Sequence, residues 1–86
     1  MAIRYTRHAR HKFGLLEQHG FPVTEQQVAD VLMRPDVIMP QAGSRCIAQK
    51  RIIEDHVLRV VYRQEGEDLV VITFYPGRRE RYENKI

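Results

Sequence analysis

Hydrophobic residues near the N-terminus follow the spacing of an amphipathic helix. Ala9, Phe13 and Leu16 recur at intervals of four and three residues, which places them on one face of a helix. Thr6 precedes this stripe and is predicted to be the N-cap, because its hydroxyl can accept a hydrogen bond from the first turn. The spacing therefore predicts a first helix that runs to about His19.

A capping signature marks the start of a second helix. Thr24 and Gln27 have the spacing of a capping box, and Val23 and Val28 take the two positions of a hydrophobic staple. Pro35 is expected to end this helix, because proline has no N–H group to donate. The short connection between the two helices favours their packing as a helix hairpin.

From residue 36 onward the pattern is typical of β-strands. Val37–Met39 is a short apolar run closed by Pro40, which predicts an edge strand. Further strands rich in branched and aromatic residues are predicted at about 45–53, 57–63 and 69–75. The last of these is apolar on both faces and is predicted to be central. Pro76 and Gly77 are expected to stop it, before a short helix or an added strand.

The order of these elements predicts an α+β fold, with the N-terminal helix hairpin packed on an antiparallel sheet of about four strands. At 86 residues the chain is predicted to form a single domain, residues 1–86. No apolar run approaches the roughly 18 residues that span a bilayer, and no apolar stretch follows the basic N-terminus as in a signal peptide. The sequence therefore predicts a cytoplasmic protein without a membrane partner.

Charge is distributed unevenly around a net value of +3. Residues 1–12 contain four cations and no acid, although cations at a helix N-terminus oppose the helix dipole. This pattern predicts an anion site, with phosphate as the anion. If the basic head and tail meet, they form one RNA-binding face; the alternative is two separate solvated segments. The residues predicted to bind RNA are Arg4, Arg7, Arg10, Lys12, Arg78, Arg79 and Arg81.

A few side chains are candidates for chemistry. His8 has a side chain that titrates near neutral pH and can act as general acid or base; the alternative is an exposed histidine without a role. Arg59 and Thr73 interrupt apolar strands, and Arg59 is expected to bind phosphate. The alternatives are that Arg59 faces water or pairs with an acid, namely Asp55, Glu65 or Asp68. Tyr62 and Tyr75 are expected either to contact a base or leaving group, or to pack in the sheet.

Metal and thiol chemistry are not indicated. His8 and His11 have a spacing that can chelate, but no carboxylate or cysteine nearby completes a set of three or four ligands. We therefore expect no metal and no cofactor. Cys46 is the single cysteine, so it can form no disulfide within the chain and is predicted to be a small strand residue.

Several short motifs resemble a widespread family of small bacterial domains of unknown function. That family is grouped with the RelE-like and BrnT-like toxins, which are metal-independent ribonucleases of toxin–antitoxin pairs. Residues 78–83 are similar to the basic end of BrnT-like toxins, although Tyr75 stands where those toxins carry an arginine. The motifs that carry the resemblance are His8–Arg10, Gly20–Thr24, Arg34–Asp36, Gly43–Arg45, Leu58–Tyr62 and Val71–Pro76.

The resemblance implies a shared catalytic face and a function. Its expected catalytic residues are His8, Arg51, Arg59, Thr73 and Tyr75. The leading hypothesis is a metal-independent endoribonuclease, the toxin of a toxin–antitoxin pair, which cleaves RNA by attack of the 2′-hydroxyl group. Its expected partners are RNA and a separately encoded antitoxin protein. The alternative hypothesis is a non-catalytic module of the same fold that binds RNA or a protein.

Overall fold

The structure, a computed structural model, describes residues 1–83 and has an α+β architecture. Five strands form one mixed sheet in the order β1-β5-β4-β3-β2. Strand β1 runs parallel to β5, and all other neighbours are antiparallel. The elements are β1 (Ile3–Tyr5), α1 (Arg7–Gln18), α2 (Glu25–Met33), β2 (Val37–Gln41), β3 (Arg45–Ile53), β4 (His56–Glu65), β5 (Asp68–Arg78) and α3 (Arg79–Tyr82).

The expected antiparallel sheet of about four strands needs a correction, because β1 adds a fifth strand that runs parallel to β5. Ile3 pairs with Leu69 and Tyr5 with Val71, so the first residues of the chain add a parallel edge strand. A segment of three residues is too short to show an alternating pattern, and its partner lies more than sixty residues away in sequence. No local signal in the sequence identifies such a strand.

The caps of both long helices match the expectations from sequence. The Thr6 hydroxyl accepts a hydrogen bond from the Ala9 N–H group at 3.1 Å, and Thr24 and Gln27 form both bonds of a capping box. Helix α1 packs mainly on β5, whereas α2 packs on β3 and β4. The expected helix hairpin is therefore not a closely packed helix pair, because each helix makes its main contacts with the sheet.

The apolar core lies between the two long helices and one face of the sheet, here called the helix face. Val28 and Val31 of α2 and Ala9 of α1 are fully buried against this face. Strand residues alternate in direction, so every second side chain points into the core. The core residues that define the helix face are Ala48, Leu58, Val60, Leu69, Val71 and Phe74.

Strand β5 continues past the point where the sequence predicts its end. Pro76 and Gly77 pair with Leu58 and Val57 of β4, so the expectation that they stop the strand is wrong. Strand β1 pairs only with residues 69–71, and the side of β5 away from β4 has no strand beside Pro76. A missing N–H group on that side removes no bond of the ladder. Of the two alternatives expected after this strand, the structure has the short helix, α3.

Within residues 1–83, no helix has both the length and the apolar character that crossing a bilayer requires.

Candidate functional site

Polar side chains of three neighbouring strands collect on the face of the sheet opposite the helices, here called the site face. Arg59 of β4 pairs with Gln49 of β3 on one side and with Tyr75 of β5 on the other. Their strand neighbours Val60 and Phe74 point into the core, so these three residues point to the opposite face.

A bulge in β5 places part of this set. Tyr62 pairs with Val71 and Val61 pairs with Thr73, which leaves Ile72 as an extra residue. Val71 and Phe74 both face the core although they are an odd number of positions apart, because the bulge reverses the alternation. Thr73 is thereby turned to the site face, next to Arg59 and two residues from Tyr75.

Arg59 is held by neutral side chains. Its Nε donates a hydrogen bond to the Tyr75 hydroxyl at 3.0 Å, and its Nη1 donates to the Gln49 side-chain oxygen. The ring of Tyr82 lies 4.2 Å from the guanidinium carbon, which is the geometry of a cation–π contact. Gln49 is only 1% exposed and makes a fixed partner. Together these contacts orient the guanidinium group before any ligand arrives.

Within residues 1–83, the charge of Arg59 has no counterion nearby. Among residues 1–83, no carboxylate oxygen lies within 4 Å of its guanidinium nitrogens. The expected alternative, pairing with Asp55, Glu65 or Asp68, is therefore not observed. A half-buried cation without a counterion is costly unless an anion approaches it. The setting of Arg59 is thus that of an anion-binding side chain.

His8 reaches the same face from the start of α1. Its Nε2 lies 3.2 Å from the Thr73 hydroxyl oxygen, within hydrogen-bonding distance. Thr6 fixes this junction, because its hydroxyl caps α1 and also donates to the Ile72 carbonyl oxygen at 3.1 Å. Thr73 and Tyr75 are about 7 Å apart along the strand. The imidazole and the guanidinium group therefore lie at the two ends of one polar row.

Arg51 is on the site face but is already paired. Its Nη2 and Nε donate to the two carboxylate oxygens of Glu83 at 3.1 and 3.3 Å. Arg79 donates to the same carboxylate, and these hydrogen bonds, that of Arg51 first, lower the pKa of Glu83. The pair lines an open depression of about 540 Å³ together with Gln49 and Asp36.

Helix α3 lies across the part of the site face that the end of β5 forms, near Gly77. A Cβ atom on Gly77 would overlap the ring of Tyr82, so this strand position leaves room for the ring only as glycine. Arg79 anchors the start of α3, since its N–H group donates to the Asp55 carbonyl oxygen at 2.8 Å. The short helix therefore presents Tyr82 to Arg59 and Glu83 to Arg51.

The structure brings the five expected catalytic residues to one side of the sheet, as two contacting pairs and one separate arginine. His8 contacts Thr73, and Arg59 contacts Tyr75, while Arg51 is held separately by its carboxylate partner. Sequence reasoning missed Gln49 and Glu83, and it considered Tyr82 for base stacking without its contact with Arg59. Gln49 gives little signal, because it begins a polar run with Lys50 and Arg51, and its contact with Arg59 depends on the strand register.

The predicted RNA-binding residues do not form one cluster. Arg4 pairs with Val70 in the sheet and Arg78 lies eight residues further along β5, about 26 Å away at the usual rise per residue. Arg4 contacts Glu65 and Asp68. Four others, Arg7, Lys12, Arg78 and Arg81, form no ion pair with any residue in the described range.

Arg10 and Arg79 are also engaged. Arg10 lies 3.6 Å from a Glu25 carboxylate oxygen and over the ring of Tyr5. Arg79 pairs with Glu83. The predicted RNA-binding cations are therefore divided between the N-terminal elements β1 and α1 and the C-terminal elements β5 and α3.

Tyr62 belongs to the core, which is the packing alternative for this residue. It lies on the helix face against the core cluster, and burial raises the pKa of its hydroxyl. Cys46, its neighbour across the strands, is half-buried. Within the described part of the chain, no three His, Cys, Asp or Glu side chains are grouped to hold a metal ion.

Comparison with known proteins gives no match: no family model, no curated protein and no solved structure is similar to the chain.

Proposed function

We propose that this chain is a metal-independent endoribonuclease that cleaves RNA by attack of a 2′-hydroxyl on the adjacent phosphate. The observation that carries the proposal is the setting of Arg59, a fixed half-buried cation. It is held by Gln49, Tyr75 and Tyr82, and no carboxylate of the described residues contacts it. Such a group favours an anion in a defined orientation. RNA supplies one phosphate per nucleotide and carries its own nucleophile.

Each part of the polar row has a role in this reaction. His8 removes the proton from the 2′-hydroxyl, and the Thr73 hydroxyl orients its imidazole. Arg59 stabilises the negative charge that develops on the phosphate oxygens. The Tyr75 hydroxyl accepts its hydrogen bond from Arg59, so its own proton is available for the departing 5′ oxygen. The products are a 2′,3′-cyclic phosphate and a free 5′-hydroxyl.

We also propose that the cell restrains this activity with a separately encoded antitoxin. The support is the resemblance of the sequence motifs to the RelE-like and BrnT-like toxins. Expression of the chain alone should then arrest growth, and the His8→Ala variant should be tolerated. A short neighbouring reading frame that relieves the arrest would identify the antitoxin.

The direct test is an assay of purified protein with single-stranded RNA in the presence of EDTA. Cleavage should persist, and RNA methylated at every 2′-oxygen should resist it. His8→Ala and Arg59→Ala should each lower the rate by about a hundredfold, which is a common cost of losing one acid–base or charge-stabilising group. Cleavage that EDTA abolishes, or that both variants retain in full, would contradict this mechanism.

A second test addresses the uncompensated charge. Gln49→Glu places a carboxylate on Arg59 while keeping the size of the side chain, so it should weaken the binding of RNA. Gln64→Glu makes the same change of charge at an exposed position of β4 and serves as the control. Equal binding by the two variants would show that Arg59 does not bind the phosphate.

The second candidate function is a non-catalytic module that binds RNA or a protein. It is favoured by the contact between Arg51 and Glu83, which removes one expected catalytic cation from the set. A module of this kind should be tolerated on expression and should bind its target without cleaving it. The growth test and the cleavage assay separate the two functions.

A further inference from the structure

A carboxylate near the end of the described residues neutralises part of the positive charge on the site face. Glu83 is a residue of the chain itself, yet its carboxylate makes a two-pronged contact with Arg51 and a third hydrogen bond with Arg79. Two guanidinium groups converge on one carboxylate, so the group of three keeps one net positive charge. This arrangement is the one by which arginines bind phosphate.

The position of this cluster relates it to Arg59. Arg51 is two residues along β3 from Gln49, the side chain that holds Arg59. Two residues along one strand face span about 7 Å. The two cationic positions are therefore neighbours on the site face, and a strand of nucleic acid with a phosphate at Arg59 continues towards Arg51.

The segment that carries Glu83 has a small attachment to the sheet. Helix α3 contains four residues, and its ring contact depends on the space that Gly77 leaves for Tyr82. Glu83 and its two arginine partners are partly exposed, with side-chain accessibilities of 23%, 47% and 44%. Exposed ion pairs contribute little to stability, so a ligand phosphate can displace this carboxylate.

We propose that Arg51 and Arg79 form a second phosphate position, which Glu83 occupies until nucleic acid displaces it. The inference rests on the proposed function, since it takes single-stranded RNA as the ligand. The Glu83 carboxylate is then an internal competitor: it neutralises the second position in the free chain and leaves it when RNA binds, while Arg79 stays to contact the phosphate. Asp36 stays in place beside Arg51, because its carboxylate accepts a hydrogen bond from the Arg51 backbone N–H group.

The test measures binding of a short single-stranded RNA that is methylated at every 2′-oxygen and therefore cannot be cleaved. Glu83→Gln should raise the affinity about two- to fivefold, the effect of freeing one exposed ion pair. Glu80→Gln removes the same charge from the same helix and should change the affinity less, because Glu80 makes no ion pair within residues 1–83. Arg51→Ala in the Glu83→Gln background should abolish the gain.

A structural readout follows the displacement itself. The Glu83 carboxylate accepts three hydrogen bonds from Arg51 and Arg79 in the free chain, so the NMR signal of its carboxyl carbon reports this contact. Addition of the RNA should move this signal towards the value of an unpaired carboxylate. Binding without this change, or equal affinities of the Glu83→Gln and Glu80→Gln variants, would overturn the inference and leave the proposed function standing. Absence of RNA binding in every form of the protein would refute both.

Discussion

Lys50 and Arg59 show that the two faces of the sheet use charge differently. On the helix face, the Lys50 ammonium group lies 3.1 Å from an Asp30 carboxylate oxygen, beside the apolar core. On the site face, Arg59 has only neutral partners among residues 1–83, whereas Arg51 is paired with Glu83. A cation that serves the fold carries its own counterion, whereas a cation that serves binding leaves that place to a ligand. The comparison singles out Arg59 as the cation to which an anionic ligand is expected to bind.

The largest expected effect comes from two adjacent residues of β5 that point to opposite faces. Phe74→Ala should lower the free energy of unfolding by about 3–5 kcal/mol, because it empties a fully buried position of the core. Thr73→Ala should cost about 1 kcal/mol or less, since it removes one hydrogen bond. Chemical denaturation of both variants measures this difference. Similar losses would show that the two faces share one structural role.

The next effect compares two histidines of α1. His8→Ala should reduce RNA cleavage about a hundredfold, equivalent to about 2.7 kcal/mol of transition-state stabilisation. His11→Ala should leave the rate unchanged, because this exposed residue makes no contact with the polar row. Single-turnover kinetics on one RNA substrate provide the rates. A loss of equal size in the two variants would place the chemistry elsewhere.

A smaller effect on stability and rate is expected at Thr6, which caps α1 and also donates a hydrogen bond to β5. Thr6→Ala should destabilise the chain by about 1 kcal/mol through loss of the α1 cap, and it should also lower the cleavage rate by loosening His8. Thr6→Ser keeps a hydroxyl at the same place and should retain both properties. Stability and rate must change together; a stability loss with a normal rate would mean that the cap does not position the imidazole.

The smallest effect concerns acid pH. Hydrogen bonds with Lys50 and Arg34 lower the pKa of Asp30, and those with Arg51 and Arg79 lower the pKa of Glu83. A carboxylate whose pKa is lowered by folding stabilises the chain above its unfolded value, and this contribution is lost as the pH falls through the lowered value. Denaturation curves should show the loss below about pH 4.

Variants separate the contributions of the two faces to this pH dependence. Asp30→Asn should remove the part of the pH dependence of stability that comes from the helix face. Glu83→Gln should remove the part that comes from the site face. Each variant should differ from the unaltered chain above pH 4 and resemble it at lower pH. A constant difference at all values would assign the effect to packing instead of charge.

The elements with local signals were predictable from the sequence, and those with distant partners were not. The caps at Thr6 and Thr24 and the strand pattern after residue 36 gave the two helices and four of the five strands. Strand β1 depends on pairing with Leu69 and its neighbours, which no short window contains. The missed strand made the sheet look wholly antiparallel.

The site was predictable in its residue types and not in its contacts. An arginine or threonine within an apolar strand is visible in the sequence, so Arg59 and Thr73 were found. Gln49 and Glu83 act through register and through the position of α3, which the spacing of residues does not encode. The alternative of two separate basic segments agrees with the distance between Arg4 and Arg78 along the sheet, because similar composition does not bring two segments together.

The extra residue in β5 makes the site depend on strand register as much as on residue identity. If β5 paired without the bulge, so that Ile72 stood opposite Val61, Thr73 and Tyr75 would turn towards the helices and Phe74 towards solvent. No single substitution exchanges the two faces in this way. Loss of the codon for Ile72, by contrast, leaves every other pairing of the strand in place, because Val71 and Thr73 already pair with consecutive residues of β4. A related chain that is one residue shorter at this point can therefore present the same polar row, whereas a chain of equal length without the bulge cannot.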